Sequence, residues 1–180
     1  NTAASGKWSD PATWVGKVVP PVGANVVINS KHVVVLDTTT EVAGLQILSG
    51  GTLEFLTSKT LTLYATQNIE VYGTLRMAPS SLSYTHTIIF KGIDESKIVG
   101  GSSMDVIPTD IGLWVRDSAR LDLKGGSKTS WTRLLSSAKK GDTVIYTSTT
   151  ATNWLPGDEI SIVPTSPISD PTYYTGFDVR

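Results

Sequence analysis

Twelve short apolar runs fill this chain, and their spacing limits what it can fold into. They are "NVVIN" (25–29), "HVVVLD" (32–37), "GLQIL" (44–48), "TLEFL" (52–56), "TLTLY" (60–64), "IEVYGTLRM" (69–77), "TIIF" (87–90), "KIVG" (97–100), "GLWV" (112–115), "ARLDL" (119–123), "DTVIY" (142–146) and "EISIV" (159–163). Each is rich in β-branched residues and bounded by Gly, Asn, Asp, Ser or Pro, so each reads as a strand. Only "TSWTRLLSSAKKG" (129–141) offers a helix-like pattern, and its Ser and β-branched content weakens it. "GTLEF" starts at Gly51 and "GTLRM" at Gly73, and the series Leu53, Leu75, Ile98, Leu121, Val144 advances in steps of 22 or 23 residues. A second series, Leu45, Ile69, Ile88, Leu113, Leu134, is looser.

Repeats of this length suggest a leucine-rich repeat or a parallel β-helix. The leucine-rich frame and its helix are missing. Antiparallel sandwiches or barrels should carry Asn-Gly or Asp-Gly hairpin turns, and neither dipeptide occurs. The expectation is therefore an all-β, right-handed parallel β-helix in which Leu53, Phe55, Leu121 and Leu123 point inward while Glu54 and Asp122 point out. On the 23-residue period Glu54 and Asp122 lie three rungs apart, about 14 Å at ~4.8 Å per rung. That is too wide for the carboxylate pair of a glycosidase.

Charge is nearly balanced, with 15 basic and 16 acidic residues, which leaves no footprint for nucleic acid. No run reaches the roughly 20 apolar residues of a membrane span, so membrane insertion is not expected. Without cysteine there is neither a disulfide framework nor a Cys/His zinc site. Ser and Thr make up roughly a quarter of the chain, which suits an extracellular β surface. The chain starts at Asn1 without Met, as a mature form or excised fragment would.

"WSDPATWVG" (8–16) places two tryptophans six residues apart around Asp10-Pro11. Asp10 is a good N-cap and Pro11 a good first helical residue, so a single turn of helix ending near Gly16 is expected to bring Trp8 and Trp14 together. Such a turn would cover the exposed end of a stack of strands. The competing reading is a platform on which sugars stack.

These residues also resemble a known family. "WSDPATW", "VPPVGANVVI" (19–28), "VVVLD" (33–37), "GLQILSGGTLEF" (44–55) and "IEVYGTLRM" (69–77) together resemble the G8 domain, a module found in cell-migration-inducing hyaluronidases, fibrocystin and bacterial secreted proteins. The resemblance spans residues 8–126, leaving 1–7 as an N-terminal extension. "WTRLLSSAKKGDTVIYTSTTATNWLPGDEISIV" (131–163) is similar to the segment that follows G8 in those proteins, so 127–180 is expected to continue the β-helix up to a boundary inside a larger protein. The resemblance implies a secreted or cell-surface setting and a polysaccharide-related role. In the hyaluronidase members it further implies dependence on a divalent cation.

Candidate ligand-binding residues are Tyr84 and His86, at the end of the Ser- and Tyr-rich loop 79–86, together with Trp114, Arg116 and Arg120. Arg116 and Arg120 frame Asp117 and could grip a carboxylated sugar, or pair with Asp117 locally. Trp131 and Trp154 are expected to pack inward. Asp158, Glu159, Asp170 and Asp178 form the densest acidic group, with oxygens suited to calcium. The alternative is that Asp158 closes the Pro156-Gly157 turn. His32 reads as an edge residue.

Three functions fit. The first is a structural or carbohydrate-associated recognition unit of a larger protein. The second is the N-terminal part of a polysaccharide-degrading enzyme, although no catalytic motif matches residue by residue. The third is a subunit that self-associates into fibres, or docks against further β-helix of the same protein, through unpaired strand edges.

Overall fold

The computed structural model describes residues 1–100, 105–163 and 178–179. The chain divides into two compact units, Asn1–Gly126 and Ser127–Arg180. In chain order the first unit holds β1 (Gly6–Lys7), β2 (Ala24–Ile28), β3 (Val33–Leu36), β4 (Thr40–Ile47), β5 (Thr52–Phe55), β6 (Leu61–Ala65), β7 (Ile69–Val71), β8 (Thr74–Met77), β9 (His86–Phe90), β10 (Leu113–Val115) and β11 (Arg120–Leu123). All of their pairings are parallel. One sheet runs β1-β3-β5-β8-β11, and the other β10-β7-β4-β6-β9 with β2 added beside β4.

Alternation decides which side chains enter the core. Val34, Leu53, Leu75 and Leu121 share one register column of the first sheet. Val26, Leu45, Ile69 and Leu113 share one in the second, and Leu63 opposes Ile88. From Val26 to Leu75 these apolar positions are almost fully buried. Strand β4 carries two partners in succession, β6 at Thr40–Val42 and then β7 at Leu45–Ile47. Val42 and Ala43 are both buried, so the in-out alternation changes phase there and the chain turns a corner inside the strand.

The corner between the sheets is set by glycine. The Gly51 carbonyl accepts from Thr74 N–H at 2.9 Å, and the Gly73 carbonyl from Arg120 N–H at 2.8 Å. A Cβ on Gly73 would stand 2.2 Å from the Gly51 oxygen, so only glycine allows these successive backbones to approach so closely.

The expected right-handed β-helix with a helical cap is corrected on both points. The strands form two parallel sheets, and no regular solenoid is detected among the described residues. The 23-residue period included residues that do not stack. Ile98 follows a 3₁₀ turn at Glu95–Lys97, and Val144 lies outside any strand and is exposed. Leu75 is succeeded in its column by Leu121, after a long excursion. The cap consists of two 3₁₀ turns, Pro11–Thr13 and Val15–Lys17, and the second contains Gly16 at φ 77°. Its local chemistry is as expected: Asp10 accepts from Ala12 N–H at 2.9 Å, and Pro11 opens the turn. Trp14 is already extended, so the chain never reaches a full α-helical turn.

Among its described residues the second unit holds one antiparallel pair, β12 (Ser161–Ile162) with β13 (Asp178–Val179), and an antiparallel bridge between Leu134 and Thr147. The helix-like stretch at 129–141 is not helical. No helix among the described residues is long and apolar enough to cross a membrane.

Candidate functional site

Both grooves of interest lie on the first unit. The first follows β8, where Pro79 lacks the N–H needed to extend the strand. The loop is pinned by Ser80, whose N–H and hydroxyl both donate to the Thr57 carbonyl at 2.8 and 3.0 Å, and it turns back where Tyr84 N–H donates to Ser81 O. A groove of about 410 Å³ opens between this loop and the end of β11, lined by Met77, Leu82, Tyr84, His86, Leu123 and Lys124 among others. The His86 ring lies 5.2 Å from that of Phe55. Its Nε2 is 3.2 Å from the Leu56 carbonyl, which can only accept, so Nε2 carries the proton. The buried Nδ1 has no partner among the described residues.

A column of charge runs beside this groove on the outer face of the first sheet. Glu54 opposes Arg76, which opposes Asp122. The two carboxylates are therefore two strands apart, not three, and Arg76 stands between them, 3.6 Å from Glu54 and 3.0 Å from Asp122. Arg120 and Lys124 approach the same Asp122 carboxylate at 4.0 and 3.9 Å. Arg120 thus turns to Asp122 and forms no ion pair with Asp117, which occupies a tight turn at φ 53° closed by Ala119 N–H on Arg116 O. Lys124 belongs to both the column and the groove. Tyr84 and His86 line the groove, whereas Arg120 belongs to the charge column and is not among the lining residues. Trp114 and Arg116 belong to the other sheet and its exit, where the half-buried Trp114 donates its indole N–H to Asp110 O at 3.2 Å.

The second groove, about 540 Å³, lies over β2, β4 and β7 and is lined by Asn25, Gln46, Gln67, Asn68, Glu70 and Pro108 among others. Gln46, Glu70 and Trp114 are outward neighbours in register. Glu70 accepts from Tyr72 OH at 3.0 Å and from Gln46 Nε2 at 3.4 Å. Partial burial, then the hydrogen bond to Glu70, hold the Tyr72 phenol above its ordinary 10.0, so it stays a donor.

Trp8 and Trp14 belong to neither groove. They are 1 % and 2 % exposed, their rings meet edge to face at 4.9 Å, and Trp14 Nε1 donates to Trp8 O at 2.8 Å. A buried indole pair cannot present a stacking platform, so the structure favours the plug.

The model of the G8 domain matches residues 13–135. The chain belongs to the G8 domain family. It is 30% identical to fibrocystin of Canis lupus familiaris over 160 residues, 87% of this chain, and 30% identical to fibrocystin-L of Homo sapiens over 166 residues, 88% of this chain. It spans about 4% of the length of these relatives. No solved structure matches it. Both grooves lie wholly inside the G8 match, since Asn25 and Gly126 are their outermost lining residues.

The acidic group expected to suit calcium, Asp158, Glu159, Asp170 and Asp178, lies outside the G8 match. Asp158 accepts from Lys128 and from Leu155 N–H, and these bonds, Lys128 first, hold its carboxyl below the ordinary 3.8. Its own N–H returns to Leu155 O, closing the Pro156-Gly157 turn. Glu159 follows it in the chain. Asp178 pairs with Ile162 through the backbone, while its side chain and the whole of Asp170 lie outside the described residues. Among the described residues no group of three or more His, Asp or Glu is placed to hold a metal. Trp131 is 73 % exposed, contrary to the inward packing expected, and Trp154 donates its indole N–H to Thr129 O. His32 receives or gives a 2.7 Å hydrogen bond with Thr2.

The sequence reading missed Lys124, Arg76 and the amide set of the second groove. Their signal was present only in part, because Gln46 sits outward between the buried Leu45 and Ile47, and Arg76 outward after the buried Leu75. It could be read only once the true register was known.

Proposed function

We propose that this G8 module is an extracellular recognition unit for acidic polysaccharide within a larger secreted or surface protein, with the parallel sheets as its rigid support. The observation that carries this reading is Lys124, where a groove with an aromatic wall meets an excess of cation. Arg76, Arg120 and Lys124 face two carboxylates, Glu54 and Asp122. Arg120 and Lys124 are loosely held at about the limit of an ion pair, and their side chains are mostly exposed. They are free to meet a uronate, while Tyr84 offers a ring for the sugar's C–H face. Cleavage is not part of the proposal, since both outward carboxylates of the column are engaged by Arg76. The extracellular setting rests on the family and on the Ser- and Thr-rich composition.

The test is saturable binding to a panel of acidic glycans that includes hyaluronan, with calcium and with chelator, beside a depolymerisation assay. Binding should weaken with salt. It should also fall about tenfold or more in Lys124→Ala/Arg120→Ala, with the unfolding midpoint unchanged. Absence of binding across the panel would overturn the reading, and cleavage by the purified chain would replace it with the enzyme.

A further inference from the structure

We infer that the outer face of β2, β4 and β7 carries a second, separate saccharide site, one for neutral, hydroxyl-rich sugars. The groove there is built from planar polar side chains. Gln67 makes no side-chain hydrogen bond among the described residues, and Gln46 only a long one, 3.4 Å to Glu70. Asn25 uses its Oδ1 on Gly44 N–H, which leaves its amide N–H groups to the groove. One Glu70 oxygen takes both Tyr72 and Gln46, which leaves the other as an acceptor. Amides present a donor and an acceptor side by side, the arrangement that matches vicinal hydroxyls, each of which both donates and accepts.

The floor is open because residue 44 is glycine. A Cβ there would stand 2.9 Å from Asn25 Oδ1 and 3.4 Å from Gln67 Oε1, filling the space between the two amides. One wall is apolar, formed by Val106 and Pro108, and suits the C–H face of a sugar ring. Asn68 fixes that wall: it is 8 % exposed, donates to Ile107 O at 3.0 Å and accepts from Gly112 N–H at 2.9 Å. The volume, about 540 Å³, falls within the ~300–1,000 Å³ typical of small-molecule sites.

Charge selects the ligand. Among the described residues Glu70 is the only ionisable one in the lining, so a uronate or sulfate is repelled where the first groove, with Lys124, attracts it. The site goes beyond the acidic-glycan reading and does not depend on it.

The experiment titrates the isotopically labelled chain with cellohexaose, maltohexaose and N-acetylchitohexaose, following the side-chain amide resonances of Asn25, Gln46 and Gln67 by NMR. Saturable shifts of these amides with at least one of the three are expected. The affinity should drop about tenfold in Gln46→Ala and in Gln67→Ala, neither of which removes a strong protein contact, and stay unchanged in Lys124→Ala. No shift at millimolar sugar, or shifts that survive both glutamine variants unchanged, would overturn the site. Loss of hyaluronan binding alone would instead fault the first groove, because its reporters are Tyr84 and Lys124.

Discussion

The first unit finishes its two ends differently. At the N-terminal end Trp8 and Trp14 close over the apolar columns, and the residues beneath them, Ile28, Val34 and Leu36, are fully buried. In the last row the same inward alternation puts Leu113, Val115, Leu121 and Leu123 in line with the core, yet they remain 37 to 53 % exposed. Identical patterning thus gives different burial according to what covers the row. Stability should be concentrated where the indoles sit, and it should decline towards β10 and β11.

The largest effect should come from the plug. Trp14→Ala removes a buried indole and its bond to the Trp8 carbonyl, and should cost about 3–5 kcal/mol in denaturant unfolding. A loss below about 1 kcal/mol would show that the N-terminal cover is dispensable. A finer version uses an asymmetry within the pair. Among the described residues the buried Trp8 Nε1 has no partner, so Trp8→Phe should cost less than Trp14→Phe.

Next comes the contrast along one register column. Leu53→Ala, at a fully buried position, should cost about 2–5 kcal/mol, whereas Leu121→Ala, two strands away at 38 % exposure, should cost roughly 1 kcal/mol or less. Equal losses would mean that the last row is covered in solution. Gly73→Ala tests the corner between the sheets and should cost about 1–3 kcal/mol, because the new methyl group meets backbone carbonyls of Gly51 and Leu48 rather than a movable side chain.

How much of this was legible in the sequence depends on how local the determining physics is. Asp10-Pro11 and the buried Trp pair follow from capping and from the low polarity of indoles, and the G8 elements led directly to the family. Strand alternation placed Leu53 and Phe55 inward correctly. Register was harder, because a period counts residues and cannot tell a strand from an excursion of similar length. Inserting Ile98 between Leu75 and Leu121 turned a two-strand separation of Glu54 and Asp122 into three, and hid Arg76 between them. Tyr84 and His86 were visible because they end a polar loop. Lys124, Gln46, Gln67 and Glu70 were not, since each is unremarkable until the fold sets it beside residues 20 or more positions away.

The smallest effect concerns the latch that holds the plug. Ser9 donates its N–H to Asp37 at 3.1 Å and its hydroxyl at 2.6 Å. Partial burial pushes the Asp37 carboxyl up, but the hydrogen bonds from Ser9, aided by Lys7, outweigh it and leave the folded pKa below the ordinary 3.8. A carboxyl depressed in the folded state contributes stability that is fully present above its unfolded value, and that contribution is lost as pH falls through the folded one. Wild type should therefore lose an increment of stability on acidification below about pH 4 that Asp37→Asn lacks, with the variant already weaker at neutral pH. The difference between the two pH profiles isolates Asp37, because the other carboxylates held low, such as Asp158, are common to both chains. Parallel profiles would mean that the Ser9 contact does not hold the plug, leaving closure of this end to the indoles alone.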